Sequence, residues 1–279
     1  MKTQTHNELS QFVPTTDGYI PRKLGKLTDV GILETAYSQK PLKDLVLVEG
    51  ETGAGKTALA RHFCYVKKLP YARINLHGGT TPDELIGHFI PDSNGGFKWQ
   101  DGLLTTFVRK GGVVVLDEAN FCPPEILGAL HSLTDDERKL TLVANDSEVI
   151  HAHKDFFLIA TINPDYEGTR PLNEAFRDRF KVVLFFDYDI NVEKKLISDD
   201  KLRKLASKLR IMKTKGEIVT PVSTRSLIQF EQNSKLYGHE LALDFFLNKF
   251  KSFEREPIKN VLDLLSTIDV DSNSQEGVN

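Results

Sequence analysis

Gly50-Glu51-Thr52-Gly53-Ala54-Gly55-Lys56-Thr57 is the stretch on which the reading of this chain turns. It fits G-x-x-x-x-G-K-[ST], a loop whose glycines let backbone N–H groups face phosphate oxygens. Before it, Asp44-Leu45-Val46-Leu47-Val48-Glu49 is short and apolar, suited to a buried strand. After it, Ala58-Leu59-Ala60-Arg61-His62-Phe63 suits a helix, whose N-terminus adds partial positive charge behind the phosphates. In that context Lys56 is expected to reach the β- and γ-phosphates and Thr57 to hold Mg²⁺. A glycine-rich turn before an ordinary helix is the bland alternative, and the flanking pattern weighs against it.

Outward from the loop, four more apolar runs read as strands: Tyr71 to Leu76, Gly112 to Asp117, Phe156 to Thr161 and Lys181 to Phe186. Their hydrophobicity is continuous rather than alternating, which suggests burial on both faces of a parallel sheet. Helical periodicity lies between them, as in Pro124 to Ser132, so an α/β core with a five-stranded parallel sheet is expected. After Asp187-Tyr188-Asp189 the pattern changes to helical period, with Leu202, Leu205, Leu209, Leu227 and Phe230 on apolar faces. The expected organisation is a core over 1–189, a small all-helical lid over 190–268 and a polar, frayed tail over 269–279.

Composition narrows the classes. The 279 residues carry a net charge of −3, so no global basic field draws the chain onto nucleic acid. Two cysteines, Cys64 and Cys122, make no disulfide framework. No apolar run is long enough to span a bilayer, and the N-terminus lacks a secretion-signal core. A cytoplasmic protein is the expectation.

Val113-Val114-Val115-Leu116-Asp117-Glu118 ends a core strand with two acids. At the carboxyl end of a parallel strand they face the crevice where ligands sit. Asp117 would bind Mg²⁺ through water, and Glu118 would orient or deprotonate an attacking water. An acidic pair opening a surface loop is the alternative, weakened by the phosphate loop upstream.

With both motifs in hand, the chain resembles the AAA+ ATPases, in particular their MoxR and dynein-related branch. Asp117-Glu118-Ala119-Asn120-Phe121-Cys122-Pro123-Pro124 is similar to the branch pattern D-E-[IA]-N-x-x-P-P. Glu167 to Phe180, E-G-T-R-P-L-N-E-A-F-R-D-R-F, is similar to E-G-T-x-P-L-x-E-A-x-x-D-R-F. The likeness runs from about Phe12 to Leu227. It implies a P-loop AAA+ core with ATP and Mg²⁺ as cofactors, Gly50 to Thr57, Asp117 and Arg225 binding them. It implies that Asn163 is the sensor 1 residue, and that Arg179, with Arg177 as the other candidate, is an arginine finger reaching a neighbouring subunit's γ-phosphate. Arg225 resembles the sensor 2 arginine, and Asn75 the polar residue that restrains the catalytic Glu. Each has a plainer reading: a turn former for Asn163 before Pro164, surface or helix-pairing roles for the arginines. A finger acting in trans implies a homo-oligomeric ring, for which the branch suggests a hexamer.

Two hairpins are expected as insertions. One lies near 88–102 about Asn94-Gly95-Gly96, with Phe89, Phe97 and Trp99 either facing a ring pore or packing locally. The other lies near 139–152 about Ala144-Asn145-Asp146-Ser147. His151 and His153 near its end are read as solvated rather than as metal ligands.

Three functions compete. The first is an ATP-hydrolysing remodelling or activating chaperone of MoxR type, CbbQ/NorQ- or GvpN-like, acting on a protein client such as a von Willebrand factor A domain protein. The Leu133-Thr134-Asp135-Asp136 segment resembles the CbbQ/NorQ pattern. The second is a nucleic-acid-associated, McrB-like restriction NTPase, disfavoured by the charge. The third is a nucleotide-binding scaffold without hydrolysis, disfavoured by the complete set Lys56, Glu118, Asn163 and Arg179.

Overall fold

A computed structural model describes residues 8–164 and 171–262. It divides into two compact units, one of residues 1–50 and 55–186 and the other of residues 51–54 and 187–279. The second unit thus takes in four residues of the phosphate loop. Glu167 to Arg170 of the motif resemblance and the tail 269–279 lie outside the described residues.

The first unit is built on strands β1 (Val46–Gly50), β2 (Tyr71–Asn75), β3 (Gly112–Asp117), β4 (Phe156–Ile162) and β5 (Val182–Phe186). Their spatial order is β5-β1-β4-β3-β2, every neighbouring pair parallel. The central strands β3 and β4 are buried at every position, as their runs of β-branched and aromatic residues require. One sheet face packs on Phe107, Val108, Leu127 and Leu130. Toward α1 (Asp29–Ser38) and α2 (Lys56–Lys67), Tyr37, Phe63 and Phe157 meet edge to face with centroids 5.5–5.9 Å apart.

Two expectations are corrected. Strand β5 is not buried on both faces: Val183 is 45% exposed and Phe185 65%, because β5 is an edge strand in this unit. The helix expected over Pro124–Ser132 is divided in two: one α-helix covers Pro124–Ala129, Leu130 follows at φ −92°, ψ −1°, and a second, four-residue α-helix covers His131–Thr134.

Helix α3 (Leu103–Lys110) lies between two antiparallel hairpins in sequence, Gly87–Pro91 with Phe97–Asp101 and Lys139–Leu142 with Glu148–His151. Phe89 packs on Trp99 while Phe97 is 74% exposed. Arg109 of α3 joins both hairpins: its Nε donates to Asp101, and its two terminal nitrogens pair with Glu148 at 2.7 Å each.

In the second unit, helices α4 (Ile190–Leu196), α5 (Asp200–Thr214), α6 (Thr224–Tyr237) and α7 (His239–Leu247) enclose Leu202, Leu205, Leu209, Leu227, Phe230 and Phe246. Asp189, Asp199 and Ser223 cap α4, α5 and α6, each side chain accepting first-turn N–H groups. Glu254 is fully buried and accepts from the Val219, Thr220 and Lys251 N–H groups and the Thr220 hydroxyl. Among the described residues no helix is long and apolar enough to cross a membrane.

Candidate nucleotide site

Strand β1 delivers Gly50 at φ +144°, with a would-be Cβ only 1.8 Å from the Phe186 carbonyl oxygen. No residue with a side chain fits there, so this glycine is dictated by the β1–β5 pairing as well as by the loop. Gly53 and Gly55 follow at φ +68° and +98°, and Gly55 caps α2, whose first residue is Lys56. Lys56 is buried, and its ammonium donates to the Gly50 carbonyl at 2.7 Å and to Asn163 Oδ1 at 2.6 Å.

Asp117 ends β3 beside β4. Its Oδ1 accepts from the Thr57 hydroxyl at 3.0 Å and from the Thr161 hydroxyl. The other oxygen, Oδ2, accepts from Arg73 Nε at 2.6 Å, brought across from β2. Glu118 stands in left-handed conformation (φ +58°), unusual for a residue with a side chain. Its N–H donates to Thr161 Oγ1 at 3.2 Å, and its Oε1 receives a long 3.4 Å contact from Asn163 Nδ2. Asn163 therefore touches both Lys56 and Glu118. Asn75 ends β2 exposed, and no described hydrogen bond joins it to Glu118.

The two arginines on or after the turn Glu174–Arg177 differ. Arg177 pairs with Glu49 of β1 at 2.8 Å, while Arg179 donates to the Ala175 carbonyl and keeps its buried Nε without a partner among the described residues.

Within the second unit the loop residues are tied down as well. Lys213 reaches Glu51 at 3.0 Å, and the Tyr188 hydroxyl donates to the Thr52 carbonyl at 3.0 Å. Arg210 stacks on Tyr188 and pairs with the buried Glu193, which also accepts from Thr224. Burial, with Glu51 next in effect, raises the Tyr188 phenol well above its ordinary range, so it stays a donor. Arg225 is exposed at the start of α6, its Cβ 3.4 Å from where a Cβ on Gly53 would lie.

This donor set suits a nucleoside polyphosphate with a divalent cation. Within the first unit, Gly50 and Gly55 at positive φ could turn N–H groups toward phosphate, one buried lysine donates to the Gly50 carbonyl, and a hydroxyl and carboxylate lie in contact with one another. Sequence reasoning assigned no role to Arg73, Thr161, Asn120 or Tyr188. Asn120 lay inside a quoted motif, whereas Arg73 and Tyr188 become visible only through strand register and helix packing.

Residues 45–180 match the AAA domain of the dynein-related subfamily. The chain belongs to that family, within the AAA+ ATPases of dynein-related and MoxR-like type. It is 41% identical over 140 residues to midasin of Dictyostelium discoideum, covering 50% of this chain but 2% of that one. An uncharacterized protein of Staphylococcus saprophyticus is 30% identical over 254 residues, covering 85% of this chain and 96% of the relative. The denitrification regulatory protein NirQ of Stutzerimonas stutzeri is 33% identical over 153 residues, 54% of each chain. The chain thus spans a small fraction of midasin and about half of NirQ.

Proposed function

We propose that this chain hydrolyses ATP with Mg²⁺ in a cytoplasmic ring of identical copies, a hexamer by family pattern, and uses the cycle to remodel a protein client. The observation that carries the reading is the contact of one amide, Asn163, with both Lys56 and Glu118. A phosphate-binding lysine, a polar water-placing group and a carboxylate base are the parts that hydrolysis needs together.

In this reading the loop Gly50 to Thr57 and Arg225 bind the nucleotide, and Thr57 and Asp117 hold Mg²⁺, the latter through water. Bound Mg²⁺ would offset phosphate charge. Lys56 Nζ orients the phosphates, Glu118 accepts the proton of the attacking water, and Asn163 places that water. Arg179 serves a neighbouring copy, since Arg177 is already engaged by Glu49 in its own chain. Such fingers contribute ~10³–10⁵ in rate. A client that is a protein is supported by the likeness to NirQ, named as a regulatory protein, and by the exposed Phe97 on its hairpin.

Glu118→Gln tests the reading. It should keep ATP binding and lower phosphate release by about 10²–10⁴-fold, the usual contribution of a general base. Because it would hold ATP, the same variant should retain a client in a pull-down. Equal turnover of variant and wild type would sink the base assignment, and DNA-stimulated GTP turnover would replace the chaperone with a nucleic-acid motor.

A further inference from the structure

Asn120 is buried in the 3₁₀ turn Ala119–Phe121 that follows Glu118, and its side-chain amide lies along the backbone of Asn163. Its Nδ2 donates to the Asn163 carbonyl at 2.8 Å, and its Oδ1 accepts from the Asn163 N–H at 3.4 Å. One side chain thus pairs with both polar groups of one residue in another loop, as a neighbouring strand would. The bonded residue is the one that bridges Lys56 and Glu118.

We propose that Asn120 is a positioning residue for hydrolysis: it fixes the main chain of Asn163, and so the reach of that amide toward Glu118. The proposal deepens, and rests on, the hydrolytic reading above. Its physical basis is the closure of a short circuit. Glu118 and Asn120 are two residues apart on one turn, and Asn163 links back to each of them. Thr161 restrains the same two segments at Glu118 N–H, but that bond stops two residues short of Asn163. Without Asn120 the Asn163 backbone beyond β4 would lose the contact that sets its position, and the side chain would swing with it. Displacements of about 1 Å in such groups cost on the order of 10²-fold in rate. Nucleotide affinity, which depends on the loop and Lys56, should change little.

The test is a set of variants, Asn120→Asp, Asn120→Ala and Asn163→Ala, with the double variant Asn120→Ala/Asn163→Ala. Asn120→Asp keeps an acceptor for the Asn163 N–H and loses the donor to its carbonyl. We expect kcat to fall about 10- to 100-fold in both Asn120 variants, with the nucleotide KM within about twofold of wild type. In the Asn163→Ala background, Asn120→Ala should add less than about twofold, since residues acting as one unit are not additive. A folded Asn120 variant with wild-type kcat overturns the proposal. So does a full multiplicative effect in the double variant, which would mean that Asn120 acts apart from Asn163. The Asn163 side-chain ¹⁵N–¹H signals give a readout independent of turnover. They should shift in Asn120→Asp, and if they stay put the proposal fails even where wild type shows no phosphate release. Absent wild-type turnover would instead sink the hydrolytic reading alone.

Discussion

Thr161 is fully buried on β4, and its single hydroxyl donates to Asp117 while accepting the Glu118 N–H. Thr161→Val keeps the shape and leaves that N–H without a partner. We expect a loss of about 1 kcal/mol, the low end of the cost of an unsatisfied donor because the Glu118 N–H is only partly buried, read as a lower urea midpoint. Phosphate release should fall with it and ATP binding should persist, while Thr161→Ser should restore both. Unchanged stability would mean that the hydroxyl makes no net contribution. The two acids it organises were legible in the sequence because a strand ending in Asp-Glu follows a phosphate loop. The threonine was not, since a hydroxyl inside an apolar strand reads as an ordinary β-former. Arg73 was hidden for a different reason. On the edge strand β2 it reads as a solvated charge, and only the parallel register that sets Asn75 opposite Asp117 brings its guanidinium to the acid.

Elements were most legible where local pattern and tertiary burial agree. Gly112 to Asp117 could hardly be anything but a central strand. At Leu130 the agreement is partial: helical period continues through it in the sequence, and the structure divides the segment there, at a fully buried residue, into two short helices. The hairpins announced themselves by turn residues, but not the link between them. Arg109 supplies that link through Asp101 and Glu148. Hydrogen bonds from Arg109 hold the Glu148 carboxyl below its ordinary range. A lowered folded-state value means that the stabilisation is present above the ordinary carboxylate range, near 4.3, and is lost as pH falls through the folded value. Arg109→Ala should therefore destabilise by about 0.5–1 kcal/mol at pH 7, as expected for partly exposed pairs. Thermal melts should show the gap to wild type narrowing below about pH 4 and shrinking in high salt. A gap that ignores both pH and salt would point to lost packing of the arginine stem instead. Glu254 follows the same sign. Burial raises its carboxyl, but the Thr220 hydroxyl and three N–H groups outweigh that and hold it low, so Glu254→Gln should blunt acid unfolding of the second unit.

At the scale of the molecule, the change of period after Asp189 foretold a helical second part, and the structure begins that unit at Asp187. That Glu51–Ala54 group with it was not legible in the residues, because Tyr188 and Lys213 reach them only after the helices are packed. Assembly leaves a thinner trace still: Arg179 has no carboxylate partner in its own chain among the described residues, whereas Arg177 has Glu49. If Arg179 completes a neighbour's site, activity belongs to interfaces rather than to chains. Arg179→Ala and Glu118→Gln should each be inactive alone, the first lacking the finger it lends and the second the base it keeps. Mixed in equal amounts and allowed to exchange, the two should recover activity. A working site needs an intact Glu118, carried by half the copies, next to a neighbour with an intact Arg179, carried by the other half. Random head-to-tail mixing in a closed ring then gives about a quarter of the wild-type sites. Phosphate release near that level, appearing only after subunit exchange, supports trans action. No recovery from a mixture shown to form joint rings would place the finger elsewhere, and Arg177→Ala in the same mixing assay would show whether it is the arginine now held by Glu49.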